Sequence, residues 1–183
     1  MTMPLADKTA TLPGEDCVEV VDAESRPLGI ISTAEAHRQL LAHRSAMVLV
    51  FDRLDRLCLG KRPNRSPIYP GRLDLGFCRH VGAGQSREEA ARQGLAPALA
   101  GAGGQLCQHG ELPACESTGF ELISLFRLKL KESAEEMGLP PETYLFIGQG
   151  ELKALAGEFR EMFTPLVIHA FEKGALFGPD KDE

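Results

Sequence analysis

Residues 78–101 read CRHVGAGQSREEAARQGLAPALAG, a strand end followed by a helix that starts well and breaks early. Ser86 and Glu89 have the spacing of a capping box: the serine hydroxyl accepts from the amide three residues on, and the glutamate reaches back to the serine amide. Ala90, Ala91, Leu95 and Leu99 recur at helical spacing and supply an apolar face. Gly94 and Pro97 damage the second half. A proline at 97 removes an amide donor and clashes with the carbonyl of Gln93, at about 3 kcal/mol in a regular interior, so a kink or an early end is expected. Ala100–Gly104 then reads as a flexible exit. Cys78 and His80 lie two apart on an extended backbone and therefore face the same side.

Upstream, Met47–Phe51 is almost wholly apolar, which predicts a strand over 45–51 covered on both faces. Asp52–Arg56 turns the chain into a second strand at Leu57–Gly60, and Val18–Val21 and Leu28–Ile31 read as shorter strands. A helix is expected to start at Thr33, use Ala36, Leu40 and Leu41, and end near His43. Lys61–Gly71, with Pro63, Pro67 and Pro70, is a long irregular loop, and Leu73–Phe77 a further strand. Downstream, Phe120–Leu130 and Tyr144–Ile147 read as strands. Lys131–Pro141 contains helix formers and then an abrupt stop. Leu152, Leu155, Phe159 and Met162 line up as the apolar stripe of a helix over 151–163. Thr164 and Pro165 cap and start the last helix. Strands mixed with helices predict an α/β sandwich whose pairing, parallel or mixed, this pattern leaves open, while the paired strands at 45–60 suggest an antiparallel pair inside a larger mixed β-sheet.

The 183 residues suffice for one domain, placed here over 16–178 between a loose arm at 1–15 and a tail at 179–183. No apolar run reaches the roughly 18–20 residues needed to span lipid, and residues 1–10 lack the features of a secretory signal, so a soluble cytoplasmic protein is expected. A net charge of -6 excludes a surface-wide footprint for a nucleic acid polymer. The five cysteines are odd in number, far apart and without a CxxC pair, so reduced thiols are expected.

Against that acidic background, Lys61, Arg62, Arg65, Arg72 and Arg79 put five of the 20 Lys and Arg into one short stretch that ends at His80. Forked guanidinium donors on a proline-constrained loop suit a phosphate or diphosphate, and ordinary solvated loop charges account for them equally well. Cys78 and His80 read as a nucleophile and base, as a weak metal corner, or as a core thiol beside a loop histidine.

The order Val20-Val21-Asp22, Leu28-Gly29, His43-Arg44, Val48–Phe51, Leu57–Arg62, Tyr69-Pro70-Gly71, Asp74, His80-Val81, Gly84 and Ser86–Arg92 closely resembles the Nudix hydrolase superfamily. The resemblance is strongest to its branch related to isopentenyl diphosphate isomerase, and it implies an α/β/α sandwich. The family signature is G-x5-E-x7-R-E-U-x-E-E-x-G-U, with U a bulky apolar residue. Aligned on Gly84 and Ser86, Arg79 falls on the first glycine and Gln85 on the first glutamate. Gln93 and Gly94 fall on the Arg-Glu pair, Pro97 and Ala98 on the two adjacent glutamates, and Ala100 and Gly101 on the closing pair. In the family these helix carboxylates bind divalent cations, Mg²⁺ among them, that neutralise a diphosphate and activate water. The signature keeps its frame here and loses its charges.

The isomerase branch implies a second set. Cys78 and His80 match its catalytic cysteine and a metal-binding histidine, His43 matches another histidine ligand, and Glu121 matches a catalytic or metal-associated glutamate. Gly119 and Ala98 stand where further glutamates are expected. The resemblance thus implies catalytic roles for Cys78 and Glu121 and metal ligation by His43, His80 and Glu121, while the clustering of Lys61, Arg62, Arg65, Arg72 and Arg79 makes them the expected substrate contacts. The leading expectation is binding of an anionic small molecule, a nucleotide or other diphosphate, with weak or no hydrolysis. Its alternative is an active diphosphate hydrolase or isomerase using substitute ligands with Mg²⁺ or another divalent cation. A third reading makes the chain an interaction subunit whose helices near 151–171 join a homodimer, although the same apolar positions are explained by the core.

Overall fold

His43–Phe51 is buried at every position except Arg44 and forms the central strand, β3, of the computed structural model. The structure describes residues 17–95, 99, 105–137 and 139–177. Before it come β1 (Cys17–Val21), β2 (Pro27–Ser32) and α1 (Thr33–Arg38). After it come β4 (Leu57–Lys61), β5 (Leu73–Asp74), β6 (Cys78–His80) and α2 (Arg87–Gly94). The second half holds β7 (Leu106–Leu112), a 3-10 turn (Glu116–Thr118), β8 (Glu121–Lys129), α3 (Ala134–Met137) and β9 (Tyr144–Ile147). α4 (Gln149–Glu158), a 3-10 turn (Arg160–Met162) and α5 (Pro165–Glu172) complete it.

The sheet is mixed, as expected. β3 runs parallel to β8 from His43 opposite Glu121 to Phe51 opposite Lys129. Its other edge is shared in turn by β1, β6 and β4, all antiparallel. Alternation along β3 sends Met47, Leu49 and Phe51 into one core with α4 and α5. It sends Ala46, Val48 and Val50 into the other core with Ala90 and Ala91 of α2. Helices therefore cover both faces. Among the described residues, no helix is long and apolar enough to cross a membrane.

Several local expectations need correction. α1 is capped by the Ser32 hydroxyl and stops at Arg38, and Leu40 at φ 54° turns the chain, so His43 opens β3 instead of closing a helix. The strand expected over 73–77 is only two residues long. α4 ends at Glu158, which leaves Phe159 and Met162 exposed instead of on its buried stripe. Thr164 precedes α5, but its hydroxyl donates to Asp74 at 2.8 Å instead of capping the helix. β7 was not expected: only Leu106 and Leu112 are buried along it, so the strand carries no clear alternation. The arm at 1–15, the exit at 100–104 and the tail at 179–183 lie outside the described residues.

α2 is the element whose start and end were both legible. Glu89 N–H donates to Ser86 Oγ at 3.2 Å, and Ser86 N–H donates to the Glu89 carboxylate at 2.9 Å. The helix ends at Gly94. Replacing Ser86 by alanine should cost about 1 kcal/mol of folding stability, read by urea denaturation. An unchanged midpoint would show the box to be idle.

Candidate functional site

Strand register assembles the site. Pairing of β3 with β8 sets His43 beside Glu121, and pairing of β3 with β6 sets His80 opposite Ser45 and Cys78 opposite Met47. All of these side chains share the sheet face of α4 and α5, at the strand ends nearest α1. The last turn of α1 brings in His37. One ligand atom from each of His37, His43, His80 and Glu121 lies within 4.8 Å of the others.

The donors are oriented for a cation. His43 is buried, and its Nδ1 lies 2.8 Å from the Leu41 carbonyl, which makes Nδ1 the protonated nitrogen. Its Nε2 lone pair is buried and meets no hydrogen-bond partner. A buried acceptor left unpaired costs about 1–3 kcal/mol, a cost that a cation in the cluster removes. Burial pushes the His43 pKa below its usual 6.5, partly opposed by the Leu41 carbonyl and the Glu121 charge, so the ring is neutral at pH 7 and able to ligate. His37 Nε2 and His80 Nε2 are 3.0 Å apart, and His80 Nε2 is 3.4 Å from Glu121 Oε1. Glu121, itself buried, accepts the Ser45 hydroxyl at 2.5 Å on Oε2, and Cys78 Sγ lies 4.0 Å from the same oxygen. Ser45 thus positions the carboxylate between the thiol and the histidines.

Three imidazoles and one carboxylate suit a divalent transition ion better than Mg²⁺, which prefers oxygen ligands. The cluster can hold a divalent cation. It is incomplete relative to the set the resemblance implies, because Gly119 occupies one of the positions where a further glutamate is expected. A Cβ there would sit 3.9 Å from Glu121 Oε1, and its φ of 67° disfavours any side chain.

The helix site is different. Gln85 and Gln93, where the signature has glutamate and arginine, hydrogen-bond to each other at 2.8 Å, and Gln85 Oε1 also accepts from Gly82 N–H at 3.0 Å. A neutral amide pair has replaced a charged one in the same frame. At Gly94 a Cβ would lie 3.4 Å from Arg79 Cβ, 3.6 Å from Arg79 N and 3.6 Å from the Cys78 carbonyl carbon. Arg79 stands where the signature has glycine, so bulk on the strand faces space on the helix. Pro97 and Ala98 lie outside the described residues. A double-mutant cycle on Arg79→Gly and Gly94→Glu should give a favourable coupling of about 1 kcal/mol in unfolding experiments, because the glutamate fits best once the arginine is gone. Strict additivity would show that the two positions vary independently.

Three of the five basic residues, Arg62, Arg72 and Arg79, are directed elsewhere than the histidine cluster. Arg79 projects to the opposite, α2 side of the sheet. Arg62 is engaged within its own loop: Nε donates to the Ile68 carbonyl at 2.9 Å, one terminal nitrogen to Asp74 at 2.8 Å and the other to Ser66 at 3.0 Å. Arg72 donates to the Phe163 carbonyl at 3.3 Å and stacks over Tyr69. Lys61 and Arg65 are exposed. His37 was missed in sequence because nothing in the pattern of an exposed six-residue helix marks one histidine as a ligand.

An uncharacterized Nudix hydrolase of Pseudomonas aeruginosa is 32% identical over 133 residues, which cover 68% of this chain and 79% of that protein. The chain belongs to the Nudix hydrolase superfamily. A second uncharacterized Nudix hydrolase, from Escherichia coli K12, is 27% identical over 139 residues, covering 72% of this chain and 77% of that one. The isopentenyl-diphosphate Delta-isomerase of Nocardia farcinica is 38% identical over 88 residues, 48% of this chain and 50% of the isomerase, a distant relation to that branch. No family model matches the chain. In fold, the Nudix domain superposes on a crystal structure from Deinococcus radiodurans with a TM-score of 0.65 at 15% identity, over 86% of this chain and 98% of that one. This is a Nudix fold with a degenerate signature helix and a separate, incomplete histidine and glutamate cluster.

Proposed function

We propose that this Nudix protein binds a nucleotide or other diphosphate compound with weak or no hydrolysis of the phosphoanhydride bond. Its cation site is then the cluster of His37, His43, His80 and Glu121 instead of the signature helix. The observation that carries this reading is the contrast between two places in one fold: a buried, oriented lone pair on His43 at the cluster, and an uncharged Gln85–Gln93 pair with Gly94 on the helix. A cation bound at the cluster supplies positive charge to phosphate oxygens. Lys61 and Arg65, exposed in the sequence stretch 61–71, are assigned to the outer phosphate, whereas Arg62 and Arg72 hold that stretch in place and Arg79 lies on the other side of the sheet. The reading places one domain over 16–178 in the cytoplasm, with no nucleic acid polymer as partner and a homodimer as the assembly that light scattering would check.

Titration calorimetry with Mg²⁺, Mn²⁺ and Zn²⁺, each with and without a panel of diphosphate compounds, tests it. Binding of Mn²⁺ or Zn²⁺ should exceed that of Mg²⁺ by at least ~100-fold, given the nitrogen-rich donor set. Diphosphate affinity should rise with the metal present. Turnover of a phosphoanhydride near the ~10 s⁻¹ typical of enzymes would overturn the reading.

One observation favours a second reading, double-bond isomerisation of a homoallylic diphosphate to its allylic isomer. Cys78 Sγ faces Glu121 Oε2 at 4.0 Å on the cluster side of the sheet. A thiol and a carboxyl group so placed can add a proton at one carbon and remove one from another. Incubating the protein with isopentenyl diphosphate in D₂O would show deuterium entering the allylic product, and Cys78→Ser would stop it. Absence of exchange in the metal-loaded protein would leave binding as the function.

A further inference from the structure

A cleft of about 440 Å³ opens between the turn Glu116–Thr118 and α5. Arg72, Ser117, Arg160, His169 and Glu172 line it, and none of His37, His43, Cys78, His80 or Glu121 does. His169 Nε2 lies 3.7 Å from Cys115 Sγ, both residues being partly exposed. The backbone holds Cys115 firmly: its N–H donates to Thr118 Oγ1 at 2.8 Å, and its carbonyl accepts from the amides of Thr118 at 3.1 Å and Phe120 at 2.8 Å. The thiol and the ring are therefore presented by two rigid elements.

Charged groups flank the pair. His169 lies in the last turn of α5. Glu172 is one turn further on, on the same side of the helix. Its carboxyl is held below the usual range by the Arg160 guanidinium, to which it is paired at 2.7 Å, with a smaller contribution from His169. An imidazole nitrogen facing a thiol sulfur can serve as the base that turns a cysteine into a nucleophile. Arg72, Arg160, Glu161 and Glu172 are the charged residues around the cleft, with Arg160 paired to Glu172.

We propose that Cys115 is a covalent modification site, a thiol activated by His169 that exchanges with small anionic disulfides of the glutathione type. His169 Nε2 takes the thiol proton, and the Cys115 sulfur attacks one sulfur of the disulfide. One S–S bond forms as the other breaks, and the departing thiolate recovers the proton from the imidazolium. One thiol and one disulfide enter, and one mixed disulfide and one thiol leave, so the entering disulfide is the only oxidant required. A carboxylate of the disulfide can take the place of Glu172 on the Arg160 guanidinium. This site is independent of the diphosphate reading.

The full chain should be exposed at neutral pH to glutathione disulfide and, separately, to the uncharged 2-hydroxyethyl disulfide, with adducts at each cysteine followed by mass spectrometry. Cys17 and Cys107 are exposed and serve as internal references. Cys115 should react at least ~10-fold faster than either reference, and His169→Gln should bring it to within ~2-fold of them. Arg160→Gln should slow the reaction with glutathione disulfide and leave that with the uncharged reagent unchanged. Equal rates at the three cysteines of the unmodified protein, or a Cys115 rate indifferent to His169→Gln in a variant with native circular dichroism, would overturn the assignment. An Arg160→Gln variant that slows both reagents equally would remove the anion preference.

Discussion

His43→Leu should abolish tight binding of a divalent transition ion while leaving the metal-free protein within about 1 kcal/mol of its original stability. The two halves of this result have separate causes. Loss of a ligand should exceed the 10–100-fold penalty of about that size seen when only an outer-shell partner of a ligand is removed. In the metal-free chain, the leucine removes the orphaned Nε2, a buried acceptor worth about 1–3 kcal/mol of unfavourable free energy. It also removes the Nδ1–H bond to the Leu41 carbonyl, which offsets much of that gain. Thermal unfolding with and without Zn²⁺ reads both. At a concentration 100 times Kd, the ion should stabilise the original chain by about 2.7 kcal/mol and the variant not at all. If His43 is simply a packed core residue, Zn²⁺ will shift both proteins alike and the leucine will be destabilising. His80→Ala should repeat the loss of metal binding from the less buried side of the cluster.

Asp74→Ala should destabilise the fold by about 3–5 kcal/mol, because it strands a partly buried guanidinium and a buried hydroxyl together. Asp74 is 4% exposed. Its Oδ2 pairs with Arg62 at 2.8 Å, and its Oδ1 accepts the Thr164 hydroxyl at 2.8 Å and the Leu75 N–H at 2.9 Å. One carboxylate therefore ties the 62–71 loop to β5 and to the start of α5. Asp74→Asn keeps part of the hydrogen bonding and should cost less. Urea denaturation gives both values. A loss under about 1 kcal/mol for the alanine variant would place this pair among ordinary surface ion pairs. If the diphosphate reading holds, the same variant should also weaken diphosphate binding, since the loop that presents Lys61 and Arg65 loses its anchor.

The residues differ in how much of their role showed in sequence. Met47–Phe51 declared a doubly covered strand because its apolar run left no polar side to face water. Ser86, Glu89 and Gly94 declared the ends of α2 because capping and helix breaking are local effects. Cys78 and His80 shared a face for the equally local reason that strands alternate. β7 escaped notice because it packs a single face at an edge, with polar residues between Leu106 and Leu112. Arg62 counted as an available cation in sequence, and only the folded loop shows its three donors turned inward to Ile68, Asp74 and Ser66.

Short-range chemistry in the chain was enough to establish the α/β class, the broken signature helix and the absence of its carboxylates, since each depends on neighbours within a few residues. Tertiary structure alone decided that His37, from a separate helix, joins His43, His80 and Glu121, and that Cys115 meets His169 across 54 positions of sequence. Strand register and helix docking made those meetings, and both are set by which apolar faces are buried together.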